Sequence, residues 1–376
     1  MGQVSIVRVK ENIKESLYHS IQLIGGISKF IQHGDRILLK PNLNGWEGTT
    51  NRIMVEALIQ LLLDYQVRSI AIGESTFGDA QTTKVCFQKT GFQDLVKKYH
   101  LPLINFNQSE TVSVPVPHPL ILKNIPIAKE YFEADVIINL PVMKVHYATG
   151  ITLGLKNLKG FLPPEEKKHF HEIGLDQAIV DLNKAITTQL TIVDAIQAME
   201  RMGPRGGDMV SLNLIMVGEN NWEVDWVGMN IMGYQLSEVK HLRYYLEDKN
   251  IDEQRIQEVK VVGESIENAR HPFKKVAMEA IIPPSFNLYQ TNACSACMNA
   301  LLLSCSFLEG IPTVPIDVFL GSNIVEFPSN HHLRLSFGNC CTKKTDNPLS
   351  IPGCPPYPFN LNLLLKQRGL IKKEES

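Results

Sequence analysis

DVIINLPVMKVH, residues 135–146, decides the fold class of this chain. It is a short β-branched and aliphatic run that ends in polar residues, the mark of a buried strand that delivers side chains to a sheet edge. The same pattern recurs on either side of it, in RILLKPN (36–42), SIAIGES (69–75), LTIVDAI (190–196), LNLIMVGEN (212–220) and VKVVGES (259–265). Between several of these runs lie segments with apolar residues at helical spacing: NRIMVEALIQLLLDY, LDQAIVDLNKAI and SEVKHLRYYLED. Strands alternating with helices predict an α/β fold whose mostly parallel sheet is flanked by helices on both faces.

That pattern ends near HPFKK (271–275), after which prolines, cysteines and short apolar pieces dominate. The sequence is therefore read as an α/β domain over residues 1–275 and a small, irregular, cysteine-containing metal module over 276–376, with the KKEES tail frayed. A length of 376 residues with 44 % apolar composition can fill more than one core. The formal charge of −2 offers no general attraction for nucleic acid or anionic lipid. Small molecules and proteins are the expected partners, a small anionic molecule and a redox partner protein among them. The opening MGQVSIVRVKENIKES has scattered charges and no apolar core, and the longest apolar runs fall far short of a membrane span, so a cytoplasmic protein is expected, without membrane or nucleic acid as partner.

In an open α/β sheet, ligands bind beyond the carboxyl ends of the strands. The residues there are Lys40 and Asn42, Glu74 and Ser75, Lys144 and His146, and Asp194. Lys40, Glu74, Lys144 and His146 are the candidate catalytic groups, the lysines to hold charge and His146 or Glu74 to move a proton. Asn42, Ser75 and Asp194 are candidate binding residues. The segment TGITLGLKNLKGFLPPEEKKHFH (149–171) reads as a mobile flap from which Lys156 and Asn157 reach a bound anion. Within it His169 and His171 are spaced for a metal if the segment is a strand, although a solvent-facing pair is the commoner outcome. The turn MERMGPRGGDMV (199–210) offers Arg205 to an anion and Asp208 to a cation. No GxGxxG or GxxxxGK[ST] motif is present, so nothing points to a nucleotide.

Of seven cysteines, six lie in the last third of the chain: Cys294 and Cys297 in CSAC, Cys305, Cys340 and Cys341 in GNCC, and Cys354 in GCPP. One Cys-x-x-Cys pair completed from a distance, with Cys-Pro at the last position, favours one iron–sulfur cluster of the 4Fe–4S type, with zinc as the alternative. The expected ligands are Cys294, Cys297, Cys340 and Cys354, with Cys341 as the alternative to Cys340. Cys305 and Cys86 read as small core residues.

The succession LLKPNLNG, AIGESTFGD, KTGFQDLVKKY, ADVIINLPVMKVHYATGITLGLKNLKGFLP, AIVDLNK, LTIVDAIQAMERMGPRGGD and EVDWVGMNIMGY resembles the family known as domain of unknown function 362, over about residues 5–265. The resemblance implies treating Lys40, Asn42, Glu74, Lys144, His146, Lys156 and Asn157 as one site, and it implies an iron–sulfur protein, since many members carry a cysteine module. This chain lacks the ferredoxin-type CxxCxxCxxxCP run, so one cluster is expected rather than two. Two functions follow: an iron–sulfur oxidoreductase acting on a small anion held at the strand ends, or a non-catalytic electron carrier or binding protein whose cluster or zinc is structural.

Overall fold

The computed structural model describes residues 2–45, 47–322, 332–342 and 348–372, so the last four residues of the KKEES tail lie outside the described part. The chain divides into two compact units, Met1–Lys275 and Val276–Ser376.

The first unit is built on a ten-stranded sheet. Its strands begin with β1 (Gln3–Arg8), β2 (Arg36–Pro41), β3 (Ser69–Glu74) and β4 (Leu103–Asn105). After a separate antiparallel hairpin, β5 (Thr111–Pro115) and β6 (Asn124–Ala128), come β7 (Val136–Leu140), β8 (Val142–His146), β9 (Gly150–Thr152), β10 (Leu190–Glu200), β11 (Asp208–Gly218) and β12 (Lys260–Gly263). The spatial order is β12-β1-β11-β10-β7-β2-β3-β4, with β8 beside the later part of β10 and β9 against β8. Neighbours from β10 through β7, β2 and β3 to β4 are all parallel, whereas β11 runs antiparallel to β1 and β10. The unit is thus a mixed α/β structure around a mostly parallel sheet.

Local chemistry explains the central elements. Every residue of β7 is buried, as expected of a strand covered on both faces. Pro141 divides the 135–146 run into two strands, because a proline cannot donate to the ladder. Its carbonyl instead accepts from the Asp194 N–H at 2.8 Å, and the chain shifts along β10 from there. The helix Arg52–Asp64 starts where the Asn51 side chain accepts from the N–H groups of Ile53 and Met54, and it buries Met54, Val55, Leu58, Ile59 and Leu62 on one stripe.

The segment 149–171 is not a flap. It folds as β9, the helix Gly154–Asn157, a 3₁₀ turn Leu158–Phe161 and the helix Pro164–Ile173, and its Leu153, Leu155, Leu158, Phe161, Leu162 and Phe170 are buried in the core. The leucines that alternate with glycine and lysine in the sequence anchor this segment over the strand ends.

The second unit is more regular than its prolines suggest. It carries β13 (Phe286–Thr291), β14 (Ile311–Pro312), β15 (Ile316–Gly321), β16 (Leu333–Phe337), β17 (Leu349–Ile351) and β18 (Ile371–Lys372). β13, β15, β16 and β17 form a four-stranded sheet, parallel throughout. β14 and β18 pair antiparallel. Among the described residues no helix is long and apolar enough to cross a membrane.

Candidate functional site

At the carboxyl ends of β2 and β3, Lys40 and Glu74 make a pair sealed from solvent, at 0 % and 2 % exposure. The Lys40 ammonium donates to Glu74 and to the Pro41 carbonyl, and Glu74 also accepts from the Ser75 N–H at 2.7 Å. Burial pushes Lys40 down and Glu74 up, and their attraction opposes both shifts. Whichever group holds the proton, the pair is net neutral. It lies under Gly160, where a Cβ would come 1.8 Å from Glu74 Oε1.

Lys144 reaches inward from β8. Its Nζ donates to Asn42 Oδ1 at 2.6 Å and to the Gly48 carbonyl at 2.9 Å. A chain of amides continues from there: Asn42 Nδ2 donates to Asn157 Oδ1, Asn157 Nδ2 to Asn139 Oδ1 and Asn139 Nδ2 to Asn221 Oδ1, at 2.9, 2.8 and 3.0 Å. Asn42, Asn157 and Asn139 each have both amide ends used, so the row is stiff, and it fixes where Lys144 points. Burial, followed by the charge of Arg205, brings Lys144 down to about 7.

His146 ends β8 with its Nδ1 accepting from the N–H groups of Ala148 and Thr149 at 3.1 and 3.3 Å. That fixes the proton on Nε2. Burial and then the charges of Lys156, His171, Lys159 and Lys144 hold the ring well below the usual imidazole range, so it is a neutral N–H donor. Lys156 donates to Thr152 Oγ1 at 3.3 Å, and burial holds it well below the usual ammonium range. Lys159 meets His171 Nε2 at 3.0 Å. Lys167 donates to the carbonyls of Ser75 and Thr76 and to Ser75 Oγ. Burial brings both Lys159 and Lys167 down to about 7.

The strand-end residues named from the sequence therefore lie together in one buried polar cluster of the first unit, called the crevice below, but in different capacities. Ser75 is occupied between the Gly160 carbonyl and Lys167, and Asp194 accepts from the N–H groups of Asn51 and Ile196 at 2.6 and 3.0 Å. Both hold backbone in place. Burial raises Asp194 to about 6. Arg205 is exposed and donates to Asn44 Oδ1, while Asp208 pairs with Arg201 at the surface. His169 and His171 lie on a helix, not a strand, where residues two apart do not share a face; His169 is half-exposed near Glu172. They are not a metal pair. A separate cavity of about 430 Å³ beside β4, lined by Lys84, Phe87, Lys97 and His100 among others, contains none of the crevice residues.

In the second unit each cysteine group follows the end of a parallel strand: Cys294 and Cys297 after β13, Cys340 and Cys341 after β16, Cys354 after β17. Among the described residues none forms a disulfide, and no three His, Cys, Asp or Glu side chains meet at metal-holding distances. Cys297 is paired with Cys294. Its thiol is held far above the usual range by a hydrogen bond with Cys294, then by burial and by the neighbouring Cys294, Cys354 and Cys340. It lies against Gly338, where a Cβ would come 3.1 Å from its sulfur. Cys341 is fully buried, and burial pushes Cys305 up to about 12, as befits a core thiol. Cys86 is likewise buried.

Comparison with known proteins matches residues 37–230 to the model for Domain of unknown function (DUF362), a span holding the whole crevice from Lys40 to Arg205. The chain belongs to the DUF362 family. A thylakoid-associated protein of Synechocystis sp. is 31 % identical over 246 residues, which cover 61 % of this chain and 74 % of that protein. Two solved structures are similar at a TM-score of 0.40. One is a Thermotoga maritima protein with 13 % identity, covering 85 % of this chain and 73 % of its own. The other is the lactate racemase apoprotein from Thermoanaerobacterium thermosaccharolyticum, with 11 % identity, covering 84 % and 68 %.

Several residues of this DUF362 chain's crevice are missed by sequence reasoning, among them Lys159, Lys167, Gly160 and Asn139. Lys167 carries a usable signal. It lies four residues after Pro163 and three before Phe170, on the buried face of its helix, although the run EEKK reads as solvated. Gly160 carries none, since only the fold brings it over Glu74.

Proposed function

We propose that this chain is an iron–sulfur oxidoreductase whose crevice binds a small anionic substrate. The observation that carries the reading is a surplus of buried basic groups. Lys40 is matched by Glu74, but the buried Lys144, Lys156 and Lys167, with the partly buried Lys159 beside them, have fewer carboxylates near them: Glu74 and Asp194 towards Lys144, Glu74 towards Lys167 and Asp176 towards Lys156. Burying amines without counter-charge is costly, and an anionic ligand removes that cost. A bound anion raises the proton affinity of Lys144 and Lys156, so it meets their ammonium groups and the Nε2–H of His146, which orients it and can pass a proton to a developing oxyanion. The Lys40–Glu74 pair and the amide row form a rigid floor.

The cysteines of the second unit suit a cluster by their chemistry: Cys294 and Cys297 are hydrogen-bonded neighbours, a glycine lies beside the Cys297 sulfur, the helix Ser295–Ser306 begins next to Cys294, and Cys340 and Cys354 follow neighbouring parallel strands. Cys294, Cys297, Cys340 and Cys354 would hold one 4Fe–4S cluster, which when bound supplies one-electron transfer. A reducing cytoplasm suits such thiols. The crevice half is tested by thermal shift with oxalate and with inorganic phosphate. Stabilisation of the wild type that is lost in Lys144→Met and Lys156→Met is the expected result; no stabilisation by any small anion would remove the reading.

A further inference from the structure

We propose that Lys159 is a nucleophilic amine that forms an imine with a 2-oxo acid, with His171 as its proton acceptor. This rests on the reading of the crevice as an anion site and names its substrate class. The argument starts from partners. Lys40, Lys144, Lys156 and Lys167 each donate to oxygen, whereas Lys159 meets the imidazole nitrogen of His171 at 3.0 Å. A proton shared between two nitrogens leaves one of them uncharged. No carboxylate forms a salt bridge with Lys159 among the described residues. Its amine lies 5.6 Å from the centre of the Phe170 ring, and Phe77 stands edge-on to His171 at 5.3 Å, so the pair has an apolar wall. Desolvation and a cationic neighbour, here Lys167, are the two devices that turn lysine into a nucleophile, and burial does lower its proton affinity.

Access and charge select the substrate. Lys159 and His171 are partly exposed, so a ligand can reach them, while Lys156 and His146 are buried just behind. A carboxylate held by Lys156 places an adjacent carbonyl towards Lys159. The Lys159 nitrogen attacks the carbonyl carbon; the C–N bond forms as the C–O π bond breaks, and the proton leaving nitrogen passes through His171 to the oxygen. The hydroxyl then departs as water with one further proton, leaving an iminium. No electrons are gained or lost, and hydrolysis reverses the sequence.

The test is reductive trapping of the full-length protein with glyoxylate and cyanoborohydride, read by intact mass and peptide mapping. Expected is a single adduct on the Lys159 peptide, forming about tenfold faster than on exposed Lys97 or Lys98, blocked by oxalate and slowed in His171→Phe. Lys159→Arg keeps a cation but cannot form the imine, and it should abolish the fast adduct. Adducts spread evenly over surface lysines in the wild type would overturn the proposal, whatever the folding of the variants. Heat protection by oxalate without a Lys159 adduct overturns the imine and leaves the anion site standing; loss of both overturns both.

Discussion

Replacing Gly160 by alanine puts a methyl group where Glu74 already is. The new Cβ would lie 1.8 Å from Glu74 Oε1 and 2.6 Å from both Cε and Nζ of Lys40, so the carboxylate must retreat by about 1 Å. Neither side chain has solvent to retreat into, since both are sealed. Overpacking a filled core costs about 1–3 kcal/mol, and separating a buried ion pair costs about 3–5 kcal/mol. Because the pair is displaced and not deleted, about 3 kcal/mol is the expected loss. All three tryptophans, Trp46, Trp222 and Trp226, lie in the first unit, so their fluorescence follows its unfolding alone. With a urea slope of about 3 kcal/mol per molar, the midpoint should fall by about 1 M. In a Glu74→Ala background, where the obstructing carboxylate is gone, the same glycine change should cost under about 1 kcal/mol. A midpoint shift below about 0.3 M in the wild-type background would refute the steric argument.

Other expectations follow from the crevice. Lys144 and Lys167 have folded values of about 7 against 10.5 unfolded, so the unfolded chain binds more protons between those limits. Stability of the first unit should therefore rise with pH from about 7 to about 10, by up to about 1.4 kcal/mol per pH unit for each lysine, and Lys167→Met should flatten the curve in urea titrations. Asn157→Leu leaves Asn42 Nδ2 and Asn139 Oδ1 buried without their amide partner. It should cost about 2–4 kcal/mol and weaken oxalate binding through Lys144, measured by calorimetry. Asp181 accepts from the N–H groups of Leu120, Ile121 and Leu122, each at 2.8 Å. In Asp181→Ala those three amides should exchange with deuterium faster, with the crevice amides unchanged.

The strands are legible in the sequence because burial on both faces leaves a continuous β-branched run, as in Val136–Leu140, and because Asn51 marks a helix start. Polar residues at the ends of such runs locate Lys40, Glu74, Lys144 and His146 from the amino-acid order alone, since strand ends in a parallel sheet share one edge. Which of them stays open to a ligand is not legible there. Lys40 and Ser75 are consumed by Glu74, Gly160 and Lys167, partners fixed by tertiary contact. The 149–171 segment resembles a flap because glycine and charge are common to loops and to helices that carry lysines inward. In the second unit, prolines and short strands hide a parallel sheet whose periodicity spans too few residues per strand to register.

The redox reading turns on the second unit, and the most direct measurement is iron, acid-labile sulfide and zinc content of anaerobically purified protein, with its visible spectrum before and after dithionite. Iron and sulfide in near-equal amounts and a brown colour that bleaches on reduction, both lost in Cys297→Ala, are the expected result. Stoichiometric zinc in a colourless protein would contradict it.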